Sequence, residues 1–108
     1  MAVVYKLEFY VPESHAESVK EAVFRTGAGT IGDYDRCCWQ TPGKGQFRPL
    51  EGATPFLGSQ GETERVAELK VELVCEAAVA REAVAALLEA HPYEEVAYFL
   101  SEMVRLAP

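Results

Sequence analysis

Two segments of the chain repeat one order of patterns, an alternating apolar stretch followed by a stretch with helical spacing. Residues 3–11 carry apolar side chains at every second position, and residues 67–75 do the same. Period two predicts strands with one face on a core. Apolar residues at helical spacing follow each strand, over 14–26 and 77–90. Because strands and helices must each bury one face, this order leaves few folds open to the chain.

Local signals mark the ends of both predicted helices. Ser14 and Glu17 have the spacing of a capping box, which predicts the first helix start. Gly27 or Gly29 supplies the left-handed residue that ends this helix. Pro92 ends the second helix, because the residue before a proline is pushed out of the helical region.

The remaining strands are less regular. Residues 30–41 and 95–106 are predicted as strands, and residues 46–50 as a short one that Pro49 confines to an edge or a bulge. Residues 42–64 hold five of the eight glycines and three of the six prolines. This composition predicts an extended loop or hairpin.

The resulting order, β-α-β-loop-β-α-β, is typical of the α+β, ferredoxin-like sandwich, an antiparallel sheet with two helices on one face. With 108 residues the chain can build one core, so we expect a single domain over 1–108. The other sheet face stays open. An apolar open face usually contacts a partner, which predicts a homo-oligomer. To this face we assign Val4, Tyr10, Tyr98 and Leu100.

Composition excludes several classes of partner. A formal net charge of −7 disfavours non-specific binding to nucleic acid and to anionic membranes. No apolar stretch approaches the roughly 20 residues that span a bilayer, and the first residues do not resemble a signal peptide. The three cysteines, two of them adjacent, do not form a disulfide framework. We predict a cytoplasmic protein with no nucleic-acid or membrane partner.

Several motifs resemble a known family. The run His91-Pro92-Tyr93-Glu94 resembles the CutA family of trimeric ferredoxin-like proteins, which are related to the PII signalling proteins. Val96 departs from the CutA pattern, where a proline commonly follows the paired glutamates. A closer resemblance is to the PII/CutA-like domain of the YqfO group, where the domain is inserted into larger Nif3-like dinuclear-metal proteins. It covers nearly the whole chain, through motifs at 5–12, 29–35, 37–41, 45–49 and 91–95.

The resemblance implies the free-standing form of an accessory domain. The flanking domains that build the two-metal centre are absent from this sequence, so none of its residues is assigned to that centre. A trimer is implied, with a dimer through the open sheet faces as the alternative. In PII-like folds, a long loop at the position that residues 42–64 take in this chain reaches out to ligands or partners. We therefore assign a small-ligand site in an inter-subunit cleft to Gly32, Asp33, Tyr34, Gln46, Phe47, Arg48 and Tyr93.

A divalent metal ion is the one cofactor that the residues suggest. His91, Glu94 and Glu95 could ligate it at the junction between the second helix and the last strand. Cys37 and Cys38 are further candidates, although adjacent strand residues point to opposite faces. The structural alternatives are an imidazole that caps helix carbonyls and cysteines that pack as small apolar residues.

Three classes of function are open. The first is an oligomeric PII/CutA-like module of undefined role that binds a small ligand or a metal ion as a sensor or regulator. The second is a purely structural assembly module. The third is a thiol or metal-dependent hydrolase, which requires Cys37 or Cys38 within hydrogen-bond reach of His91. We adopt the first and expect no enzymatic activity.

Overall fold

A computed structural model describes residues 3–106, which form one four-stranded antiparallel sheet with two helices. The elements are β1 Val4–Pro12, a 3₁₀ turn Glu13–His15, α1 Ala16–Phe24, β2 Trp39–Phe47, β3 Glu64–Glu76, α2 Ala77–Ala90 and β4 Tyr98–Met103. Along the sheet the strand order is β2-β3-β1-β4, and Val4 on β1 pairs with Met103 on β4. This is the ferredoxin-like arrangement, so the predicted fold is confirmed.

The core lies between the helices and one face of the two central strands. The alternation predicted for β1 and β3 is confirmed over residues 7–11 and 71–75, where alternate residues are buried while the residues between them are not, whereas Ala67 is exposed. Each helix adds one apolar face, and α2 covers the predicted residues 77–90. The buried apolar residues of the strands and helices are Leu7, Phe9, Val11, Val71, Leu73, Cys75, Ala16, Val19, Val23, Ala80, Ala83 and Leu87.

The start of α1 differs from the capping-box prediction. Ser14 Oγ lies 2.8 Å from Nδ1 of His15, and α1 begins only at Ala16, after the 3₁₀ turn. The N-cap of α1 makes no side-chain hydrogen bond. Gly27 follows the helix with a φ of +100°, as expected of a glycine stop.

The second strand lies later in the sequence than predicted. β2 joins the end of the predicted strand 30–41 to the start of the predicted loop, and the separate strand at 46–50 does not exist. Residues 30–38 instead form turns with one isolated bridge. Pro42 is tolerated because β2 is an edge strand, where one backbone N–H can be missing.

The prediction for two residues of the open face is wrong. Tyr98 pairs with Phe9 and Leu100 pairs with Leu7, so both lie on the face that carries the helices. Phe99 takes a place on the open face instead. A shift of one residue moves every side chain of a strand to the other face, and β4 is apolar on both of its faces. Alternation alone therefore could not fix its orientation.

One end of the sheet projects beyond the helices. Residues 44–47 of β2 pair with residues 64–67 of β3 past the end of β1, which pairs no further along β3 than Glu68. We call these eight strand residues and the connecting loop 48–63 the arm. The molecule measures 52 × 23 × 22 Å, and its radius of gyration is 15.1 Å, against about 13 Å for a round domain of this length. Within residues 3–106 no helix is both long and apolar enough to cross a membrane.

Candidate ligand cleft

A cleft of about 550 Å³ lies at the base of the arm, between the connecting loop and the segment that follows α2. Most of its walls are aromatic or apolar. The residues that matter most for its chemistry are Phe47, Arg48, Phe56, Glu68, Tyr93 and Glu95.

Tyr93 stands at the centre of an aromatic cluster. Its ring centroid lies 6.3 Å from that of Phe47 and 6.3 Å from that of Phe56. It lies 4.7 Å from that of His91. His15 meets Phe56 edge to face at 5.4 Å. The cluster therefore connects the arm, its loop and the turn before α1 to the segment after α2.

The hydroxyl of Tyr93 is held in one orientation. It donates a hydrogen bond of 3.0 Å to Oε2 of Glu68. Burial raises the pKa of Tyr93 well above its ordinary value, and the Glu68 carboxylate raises it further, so the phenol is neutral at pH 7. Gly45 leaves the space for this carboxylate, because a Cβ there would lie 1.8 Å from Oε1 of Glu68.

His91 is a buried structural residue, only 6% exposed. Its Nε2 lies 2.7 Å from the carbonyl oxygen of Tyr10, and its Nδ1 lies 3.1 Å from the backbone nitrogen of Tyr93. Since the carbonyl can only accept and the N–H can only donate, Nε2 carries the proton and Nδ1 accepts. Burial lowers the pKa of His91, which favours this neutral form. Both ring nitrogens are engaged, and neither is available to a metal ion in this geometry.

The two glutamates of the motif have different environments. Glu94 accepts hydrogen bonds of 3.0 and 3.3 Å from the backbone N–H of Thr54, which fastens the loop of the arm to the segment after α2. Glu95 lines the cleft but makes no hydrogen bond or ion pair with the residues described. Its carboxylate is therefore open to a ligand.

The predicted ligand residues fall into two groups. Gln46, Phe47, Arg48 and Tyr93 line the cleft. Gly32, Asp33 and Tyr34 belong to an exposed turn at the opposite end of the sheet. β2 runs between the two groups for nine residues, a length of about 27 Å between its ends. One protomer therefore does not bring them together.

The predicted metal ligands are also separated. Cys37 donates its N–H to Gly29, whose own N–H donates to Val74. His91 reaches Tyr10, whose partner on β3 is Lys70. These two anchor points lie four positions apart on β3, about 13 Å along the strand. Across residues 3–106, no three side chains of the His, Cys, Asp and Glu types are grouped closely enough to hold a metal ion.

The cysteines show no sign of an activated nucleophile. The Sγ of Cys37 lies 3.7 Å from the carbonyl oxygens of Tyr34 and Asp35, and its hydrogen bonds do not involve a histidine. Cys75 is buried in the core, and burial raises the pKa of its thiol. A thiolate at Cys75 is disfavoured at neutral pH for that reason.

The centre of the open sheet face is charged, as the residues between the alternating apolar positions of the two central strands indicate. Lys6 Nζ lies 3.0 Å from Oε1 of Glu72, and Lys70 Nζ lies 3.6 Å from Oε2 of Glu8. The hydrogen bond with Glu72 raises the pKa of Lys6, and the same bond lowers that of Glu72. Tyr10 donates its hydroxyl to Glu8 at 3.2 Å. The exposed apolar residues lie around this network, at Trp39, Phe99 and Met103.

Three residues that the sequence did not indicate contribute most to the chemistry of the cleft. Tyr10, Phe56 and Glu68 all line it, but two of them belong to strands and one to a loop without a motif. A glycine inside a strand often marks the close approach of another group, and Gly45 in β2 does so for Glu68. Because the sequence predicted a loop at this position, that signal could not be recognised.

The fold and the cleft define a class of protein, the PII/CutA-like domain. The divalent cation tolerance protein CutA from Archaeoglobus fulgidus matches with a TM-score of 0.69 over 96% of this chain and 87% of that one, at 14% identity. CutA from Xylella fastidiosa matches with a TM-score of 0.68 over 97% of this chain and 86% of that one, at 19% identity. At such identities the likeness concerns the fold alone. No protein-family model matches the chain.

Closer relatives identify the group. The chain is 48% identical over 99 residues to the GTP cyclohydrolase 1 type 2 homolog of Mycobacterium tuberculosis, and 46% identical over 97 residues to that of Halalkalibacterium halodurans. These two matches cover 92% and 90% of this chain, but only 26% of the length of each relative. A Bacillus cereus protein related to NIF3 matches with a TM-score of 0.84 and 38% identity, over 96% of this chain and 26% of that one. Through this domain the chain belongs to the Nif3-related YqfO group, as the resemblance predicted.

Proposed function

We propose that this chain is a homo-oligomeric PII/CutA-like module that binds a small ligand in the cleft at the base of the arm. It acts as a sensor or regulatory element and catalyses no reaction. The cleft carries this proposal. Its volume of about 550 Å³ falls within the range of about 300–1,000 Å³ that is usual for small-molecule sites. Its walls are apolar and contain few polar groups, a composition that is also usual for such sites.

The oligomer that we propose is a trimer, with a dimer as the alternative. Trp39 is 70% exposed and Phe99 is 59% exposed, on opposite edges of the open sheet face. Exposed apolar groups of this kind favour burial against another surface. The turn that holds Gly32, Asp33 and Tyr34 can join the cleft only from a neighbouring subunit. The predicted inter-subunit site therefore depends on the oligomer.

Native mass spectrometry of protein purified without tag or chelator tests the subunit count and retained ligand together. A thermal-shift screen of metabolites then tests the cleft. Ala53 lines the cleft, so we expect Ala53→Phe to fill it and to abolish the shift. Ala85 is exposed on α2, and Ala85→Phe serves as the matched control that keeps the shift. An oligomer with no retained mass and no shift with any metabolite would contradict a ligand-binding role.

A purely structural assembly module is the second candidate, and the apolar residues around the open face favour it. An oligomer that retains no ligand, and that loses its assembly in Trp39→Ser or Phe99→Ser, would support this alternative. The same spectra test the metal prediction. A retained divalent ion that disappears in Glu95→Gln would support metal binding at the segment after α2.

A further inference from the structure

Aromatic side chains line the cleft. Phe47, Phe56 and Tyr93 lie on three different segments, and each of the two phenylalanines lies 6.3 Å from Tyr93. None of the three is fully buried. Rings in this arrangement stabilise a flat apolar group, and their negative faces attract a cation.

The polar groups of the cleft are mainly acidic. Glu68, Glu94 and Glu95 all line it, whereas Arg48 is the only basic residue among its lining residues. The phenol of Tyr93 adds no charge of its own, because burial and its hydrogen bond to Glu68 keep it neutral. The described part of the cleft therefore carries an excess of negative charge at pH 7.

The three carboxylates are not equally available. Glu68 accepts from the Tyr93 hydroxyl, and Glu94 accepts from the backbone of Thr54. Glu95 makes no hydrogen bond within the described residues. A ligand that enters the cleft thus meets aromatic rings together with one free carboxylate and the field of two others.

We propose that the ligand of this cleft is a small organic cation, an aromatic or alkyl ammonium compound, rather than a phosphate or carboxylate anion. This inference rests on the proposed function and specifies its ligand class. Cation–π contacts with the three rings and attraction by Glu95 act in the same direction. An anion of the same shape would gain from Arg48 but would be repelled by three carboxylates.

Two probes of similar shape and opposite charge test the inference. Isothermal titration with benzyltrimethylammonium and with phenylacetate compares them at the same cleft. We expect the cation to bind at least about tenfold more tightly, and its binding to weaken with added salt. Glu95→Gln should weaken it by about threefold to tenfold. Glu62 lies on the connecting loop of the arm but does not line the cleft, so Glu62→Gln should leave the affinity unchanged.

The outcomes separate the two proposals. Tighter binding of phenylacetate, or no effect of Glu95→Gln on the cation, would overturn the inference about charge. The inference about charge would also be overturned if neither probe binds while the metabolite screen finds an anionic ligand whose binding Ala53→Phe abolishes. If both probes fail and the screen also finds nothing, the proposed ligand-binding function falls as well.

Discussion

β3 belongs to two different environments along its length. Its second half, from Leu69 onward, pairs with β1 along its whole length and with β2 as far as Glu72, and it buries Val71, Leu73 and Cys75 under the helices. Its first four residues lie in the arm, where none of the eight strand residues is fully buried. One strand therefore supports the core at one end and, at the other, the arm whose base holds the proposed ligand cleft. Low local stability is common at binding segments, because they must adapt to what they bind.

The largest expected effect is the difference in stability between two truncations of apolar side chains, one in the core and one in the arm. Leu87 is fully buried against the sheet, so Leu87→Ala should lower the free energy of unfolding by about 3 kcal/mol. Phe47 lies at the end of β2 in the arm and is only partly buried, so Phe47→Ala should cost about 1 kcal/mol. Urea denaturation of both variants gives the two values. Equal costs would show that the arm belongs to the cooperative core.

Hydrogen exchange compares the arm and the core within one strand, β3. We expect the hydrogen-bonded amides of 64–67 to exchange roughly a hundredfold faster than those of 71–75, a difference of about 2.7 kcal/mol in opening free energy. The cause is missing cover, because β1 ends before the arm begins and no residue of 64–67 is buried, whereas Val71, Leu73 and Cys75 lie buried under the helices. Mass spectrometry or NMR of the exchanging amides supplies the rates. Uniform protection along β3 would remove the basis for treating the arm separately.

His91 joins the two regions, and its removal should have an intermediate effect. His91→Ala leaves the carbonyl of Tyr10 without its partner, which should lower stability by about 1–2 kcal/mol. Because burial lowers the pKa of His91 below its ordinary value of 6.5, the unfolded chain binds the proton more readily. The stability from neutral His91 is thus complete above pH 6.5 and is lost as the pH falls through the lower folded pKa.

Urea denaturation at pH 7.5 and 5.5 measures this dependence. We expect the wild type to be less stable at the lower pH, and His91→Gln to lose most of the difference. His15→Gln is the control, since it leaves His91 in place and should keep the dependence. A difference of the same size in His91→Gln would assign the effect to other groups.

The smallest effect comes from two glycines of β2. Alanine at Gly45 would meet the Glu68 carboxylate, whereas alanine at Gly43 meets nothing within 4 Å. Gly45→Ala should displace Glu68 from Tyr93 at a cost of about 1 kcal/mol or less, and Gly43→Ala should be silent. NMR of labelled tyrosine rings, assigned with Tyr93→Phe, should show the pKa of Tyr93 falling towards 10 only in Gly45→Ala. An unchanged titration there would mean that Glu68 keeps its place.

The parts of the fold that were predicted are those with one buried face. β1, β3 and α2 each place one face in the core, so their apolar residues recur at the period of the element. β2 is almost wholly exposed and includes Pro42, Gly43 and Gly45. Nothing in an exposed edge strand requires alternation, and the sequence therefore indicated a loop. The register of β4 failed for a related reason, because most of its residues are exposed on either face.

Residues of the cleft were predicted only where a motif indicated them. Gln46, Phe47, Arg48 and Tyr93 were assigned from a resemblance, and they line one cleft. The partner of His91 lies 81 residues earlier in the chain and is a backbone carbonyl. No pattern of residue types encodes such a contact, because any residue supplies a carbonyl. The structural use of His91 thus follows from the fold and not from the motif.

The pairing of Val4 with Met103 has a consequence for how such a domain can be combined with others. Directly opposed residues of antiparallel strands lie about 5 Å apart, so the path of the chain enters and leaves the sheet at nearly one point. A host protein could accept the whole unit within one of its surface loops without separating the two sides of that loop. The cleft lies beyond the other end of β1, next to Tyr10, and would face away from the attachment.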